Sequence, residues 1–146
     1  MMSPPTRSLC FQDLSVGMRE TYSKLVTSAD VVGFADISGD HNPIHLSEEF
    51  AAKTPFGGRI AHGMFTASLI SAAIATRLPG AGAIYLSQTL KFLAPVRIGD
   101  TVDTSVEVIE LSERGSRAKL ACQCKVGDTL VLEGEALVKV PTRPAS

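Results

Sequence analysis

Long hydrophobic runs are missing from this sequence. No apolar stretch reaches the roughly 18–20 residues that a membrane-spanning helix requires. A basic stripe is missing as well: 14 Lys and Arg are scattered among 15 Asp and Glu, for a formal net charge of −1. The electrostatic footprint of a nucleic-acid binder or of a protein clinging to anionic lipid is therefore not there. Cysteine is scarce, three residues and an odd number, which speaks against a disulfide framework and for a reducing compartment. Repeats and low-complexity tracts are absent. Met1 to Ser8 holds two prolines and one Arg with no apolar core behind them, so no secretory signal is expected and the cytoplasm is the expected location. What is present is ordinary: 146 residues, 45% apolar and 20% charged, enough for one domain with a real core.

Met1 to Arg7 is expected to be a disordered lead-in and Pro141 to Ser146 a frayed tail, leaving an ordered core of about residues 9–140. A first strand is predicted over about Glu20 to Val26. Thr27 then resembles a helix N-cap with Asp30 in the first turn, and Val31, Phe34, Ala35 and Ile37 follow as one face. Gly39 ends that helix. Ser47-Glu48-Glu49 caps a short helix running to Lys53. Pro55-Phe56-Gly57-Gly58-Arg59 is a loop leading to Met64–Leu78, a stretch apolar nearly all round and so predicted to be a helix buried on most sides. From Ala83 the period changes to two. Four strands are predicted: about Ala83 to Leu93, Thr101 to Leu111, Ser116 to Val126 and Thr129 to Val140. In the third of these, Ala118, Leu120, Cys122, Cys124 and Val126 share a face, so both cysteines read as small core residues and no metal site is expected. One helix followed by an antiparallel sheet implies an α+β fold in which a curved sheet covers the helix.

The chemistry concentrates in Asp40-His41-Asn42-Pro43-Ile44-His45. A straight strand would hold Asp40 and His45 about 16 Å apart, but Asn-Pro bends the chain between them. A carboxylate and an imidazole brought together in this way could hold and deprotonate a water. The same residues also admit a plain reading, an Asp capping a turn and a surface His. Gly63, at the start of the long helix, would let a ligand oxygen approach unpaired backbone N–H groups, where developing negative charge is stabilised. Its plain reading is a helix-start glycine. His41 reads as solvated or packed, and His62 as shaping the helix entry.

Gly39-Asp40-His41-Asn42-Pro43-Ile44-His45, Ile60-Ala61-His62-Gly63-Met64 and the supporting Phe92–Asp100 stretch stand in an order and spacing that resembles the MaoC-like family of hot-dog-fold hydratases, in particular the (R)-specific enoyl-CoA hydratases. The similarity runs from about Phe11 to Val140, a single MaoC-like domain over 1–146. It implies a hot-dog fold, a sheet wrapped around one long central helix with a short helical overhang before it. It also implies reversible addition of water to a trans-2-enoyl-CoA thioester. Asp40 would activate the water, His45 would hold it and help move its proton, and the Gly63 N–H would receive the thioester oxygen. Ser71 would face the site from the central helix. No cofactor is implied, since the CoA thioester is itself the substrate. Homodimers joined sheet edge to sheet edge, or larger assemblies of such dimers, are implied, and no nucleic acid or membrane.

Three other functions fit a hot-dog domain. A thioesterase commonly carries an acid on the central helix, and Met64–Leu78 has neither Asp nor Glu. A dehydratase acting on acyl carrier protein would need a basic docking face, for which Lys53, Arg59, Arg77, Lys91 and Arg97 are candidates. A module that only binds acyl-CoA would need neither Asp40 nor His45.

Overall fold

The structure is a computed structural model and describes residues 6–144. A short 3₁₀ turn at Phe11–Asp13 leads to strand β1 (Arg19–Leu25). Three helices follow: α1 (Ser28–Ser38), α2 (Pro43–Leu46) and α3 (Glu48–Ala52), then the long α4 (Gly63–Thr76). The chain finishes with β2 (Ile84–Gln88), β3 (Lys91–Phe92), β4 (Thr101–Ser112), β5 (Arg117–Val126) and β6 (Thr129–Lys139). All pairings are antiparallel, in the order β1-β4-β5-β6-β2, with β3 also on β6. Helix α4 packs on β1, β4 and β5, so the α+β hot-dog arrangement expected from the sequence is the one observed.

The caps act as the sequence suggests. Thr27 Oγ1 accepts from the Asp30 N–H at 3.1 Å and the Asp30 carboxylate accepts from the Thr27 N–H at 3.0 Å. Ser47 Oγ accepts from the Phe50 N–H at 3.1 Å, opening α3. The inward rows of β4 and β5 are buried, with Val102, Thr104, Val106 and Val108 facing Ala118, Leu120, Cys122 and Cys124. Both cysteines are thus core residues, and burial pushes the Cys122 thiol up to about 11.

Three expectations need correction. Ile37 is 91% exposed, because at 100° per residue it lies about 240° around the helix from buried Val31. The strand expected from Ala83 to Leu93 is two strands. Opposite the break stands Gly134, where a Cβ would lie 1.8 Å from the Thr89 carbonyl oxygen. The two backbones approach too closely there for regular pairing, a common use of glycine inside a strand. Helix α4, by contrast, is buried over most of its circumference as expected, through Phe65, Thr66, Ala67, Leu69, Ile70, Ala73 and Ile74, and Met64, Ser68, Ser71 and Ala75 form one narrow exposed stripe. Finally, the termini are pinned. The Arg7 N–H donates to the Thr76 carbonyl at 2.9 Å and the Phe11 N–H to the Pro141 carbonyl at 2.8 Å. Arg143 pairs with Asp13 at 2.8 Å. The rest of the expected lead-in (1–5) and tail (145–146) lies outside the described residues.

No helix of the described residues is long and apolar enough to cross a membrane.

Candidate active site

The bend after α1 is built from local chemistry. Gly39 takes a left-handed conformation (φ 81°) and its N–H closes the helix on the Ala35 carbonyl at 2.9 Å. A side chain would be strained at that φ. Asp40 follows, exposed, with its carboxylate accepting from the Asn42 N–H at 3.2 Å. Asn42 caps α2, its side-chain oxygen accepting from the Ile44 N–H at 3.1 Å, and Pro43 occupies the first turn. That single turn swings His45 inward until it is 8% exposed.

His45 is held from three directions. Its Nδ1–H donates to the Ile60 carbonyl at 2.8 Å. A carbonyl can only accept, so neutral His45 has a bare Nε2 free to accept a proton. Arg59 Nε donates to the His45 carbonyl at 2.7 Å while its Nη1 reaches Ser28 Oγ at 3.1 Å, tying α2 to the start of α1. The His45 ring also stacks on the ring of His62, with centroids 3.8 Å apart.

The convergence that the sequence left open is therefore formed. One side-chain ligand atom each of Asp40, His45 and His62 lie within 4.8 Å of one another. Such a trio has the donor types of a metal site, but its ring geometry does not suit one. The imidazole planes are tilted by only 26°, so they meet well beyond the roughly 2.1 Å reach of a metal–imidazole bond and one ion cannot lie in both. A water, which has to meet the in-plane lone pair of His45 alone, fits the carboxylate–imidazole pair better.

Gly63 is the first residue of α4, directly after His62. Helix geometry leaves its N–H without a partner in its own helix. A Cβ there would lie 2.8 Å from Phe92 Cε1, so the bare backbone is needed for the approach of the Phe92 ring. Gly63 lines an apolar cavity of about 320 Å³ with Phe56, Ile60, Phe92 and Leu93. Ser71 does not share that cavity. It stands two turns along α4, about 12 Å of helix rise away, and lines a separate groove of about 540 Å³ with Phe34, Met64 and Tyr85. Phe34, which lines that groove, stacks its ring on His62 with centroids 4.9 Å apart.

His62 stands at the helix entry, as expected, but its ring also joins the Asp40/His45 cluster, which the sequence reading did not foresee. It occupies the N-cap position of α4, yet its side chain makes no cap hydrogen bond. The ring turns inward to the site instead. A titratable ring where Ser, Thr, Asp or Asn is usual was the available signal. His41, by contrast, is exposed and paired with Asp36 at 3.4 Å, as expected of a solvated residue.

Known proteins are similar to this chain over most of its length. The MaoC like domain profile matches residues 15–130. The chain is 64% identical over 142 residues to the 3-hydroxybutyryl-CoA dehydratase of Methylorubrum extorquens, covering 97% of this chain and 90% of that one. It is 47% identical over 133 residues to the (R)-specific enoyl-CoA hydratase of Rhodospirillum rubrum, covering 91% and 92%. Among solved structures, the unliganded R-hydratase PhaJ1 from Pseudomonas aeruginosa superposes with a TM-score of 0.91 at 40% identity, covering 96% of this chain and 90% of that one.

Proposed function

The chain belongs to the MaoC like domain family and is a hydratase/dehydratase, and from that premise we propose that it interconverts trans-2-enoyl-CoA and (R)-3-hydroxyacyl-CoA, with a four-carbon acyl group as substrate. The observation that carries this is the meeting of Asp40 and His45 side-chain atoms within 4.8 Å beside the start of α4. The names of the relatives support both the CoA carrier and the short acyl chain.

In this mechanism a water is held between the Asp40 carboxylate and the bare Nε2 of His45. Asp40 takes a proton as the water oxygen bonds to C3 of the substrate. The C2–C3 π electrons shift toward the thioester, whose oxygen becomes anionic against the Gly63 N–H and the positive end of α4. The proton then passes from the Asp40/His45 pair to C2, which completes the addition on one face. The thioester supplies the electron sink, so the mechanism invokes no cofactor. Ser71, about 12 Å of helix rise from Gly63 and in the separate groove with Phe34, lies beyond the reach of a four-carbon acyl group and takes no part in this step. The exposed edge strand β2, with Ile84 58% and Leu86 43% exposed, supports pairing with a second copy through that edge, since an unpaired apolar edge calls for a cover.

Hydration of crotonyl-CoA with chiral analysis of the product tests the proposal. Wild type yields the (R)-alcohol, and Asp40→Asn lowers kcat by about 10²–10⁴ with an unchanged fold, since Asp40 is exposed. An (S) product, release of free thiol in place of hydration, or full activity in Asp40→Asn refutes it.

A further inference from the structure

His62 is 2% exposed, and its Nδ1 has no hydrogen-bond partner among the described residues. Burying an unsatisfied polar atom costs free energy that a phenyl ring in the same space would not. The opposite nitrogen offsets that cost: Nε2–H donates to the backbone carbonyl of Asp40 at 3.0 Å. Every other hydrogen bond of residues 39–43 among the described residues reaches no further than five positions along the chain. The His62–Asp40 bond spans 22. Among the described residues it is the one hydrogen bond between the bend that presents Asp40 and the helix start that presents Gly63.

The ring also forms the middle of a stack, Phe34–His62–His45. One edge thus fixes the backbone under Asp40 and one face fixes the plane of His45. We propose that His62 is a positioning residue for the reaction, setting the spacing of Asp40 to His45 through its Nε2–H and its ring. This rests on the hydratase reading above. The step it governs is delivery of the water to C3, where a shift of about 1 Å in either partner is worth roughly 10²-fold in rate. His62 offers almost no exposed surface to a substrate, so on this proposal substrate affinity is largely spared.

The amide substitutions separate donor geometry from packing. His62→Gln can place an N–H at the Nε2 position, whereas His62→Asn places its amide where Nδ1 lies. His62→Phe keeps the stack and loses the donor. With crotonyl-CoA, His62→Asn and His62→Phe are expected to lose about 10²-fold in kcat with KM within about threefold, and His62→Gln to remain within about fivefold of wild type. Equal loss in the Gln and Asn variants, or full activity in His62→Phe, overturns the proposal while wild-type turnover keeps the functional reading intact. Absence of wild-type hydration refutes both. A second measurement needs no variant. In ¹⁵N-labelled wild type, His62 is expected as the Nε2–H tautomer with Nδ1 unprotonated, and the reverse tautomer overturns the assignment.

Discussion

Replacing Gly63 with alanine separates the chemistry of the helix start from its stability. The new Cβ would lie 2.8 and 2.9 Å from Phe92 Cε1 and Cδ1, tighter than carbon atoms tolerate, so the ring must move by roughly 1 Å to restore contact at 3.5–4.0 Å. Phe92 is 52% exposed and can swing outward at little cost. Gly63 does not have a positive φ, so alanine fits the backbone, and its better helix propensity is worth up to about 1 kcal/mol. Thermal stability is therefore expected to hold or rise slightly. On the proposed mechanism activity is expected to fall, because a methyl group would stand where that mechanism brings the thioester oxygen to the N–H. Losing one such donor costs about 10²–10³ in kcat, roughly 3–4 kcal/mol. Steady-state hydration of crotonyl-CoA measures the loss, and the double variant Gly63→Ala with Phe92→Ala assigns its cause. If the methyl itself blocks the oxygen, removing Phe92 restores nothing. If the displaced ring obstructs the cavity, activity returns. A Gly63→Ala protein with wild-type kcat would refute the role of this N–H.

Gly134→Ala should destabilise by about 2–4 kcal/mol, read as a lower midpoint in urea, because its Cβ would meet the Thr89 backbone, which cannot swing aside as Phe92 can. Alkylation with iodoacetamide, followed by mass mapping at pH 8, should label part-exposed Cys10 and spare buried Cys122 and Cys124. Burial raises Cys122 to about 11, so its reactive thiolate appears only as pH climbs toward that value. The same shift sets a sign for stability: the folded state keeps its full advantage below the ordinary thiol value of 9.0 and loses it as pH rises from there toward 11. Unfolding midpoints at pH 8 and pH 10.5 check this, and a higher midpoint at pH 10.5 would contradict it.

Much of the fold was legible because its causes are local. Thr27 with Asp30, Gly39, Asn42 with Pro43, and Ser47 each act on backbone groups within four positions, and those contacts are the observed ones. The period-two rows of β4 and β5 follow from strand geometry alone, which is why Cys122 and Cys124 could be placed in the core before any coordinates. The sequence by itself also brought Asp40 and Gly63 forward as chemical groups, through residue type and a bend between Asp40 and His45. What it could not contain was contact between distant segments. The direction of the His62 ring depends on a carbonyl 22 residues earlier. The pinning of the tail depends on Gln12 and Asp13, some 130 residues away, and the break between β2 and β3 on the depth of Gly134 across a pleat. The exposed stripe of α4 depends on how far one sheet can reach around a helix. Local propensity is set by neighbours along the chain, whereas these features are set by which surfaces meet once the chain has closed on itself, and only the tertiary structure decides that.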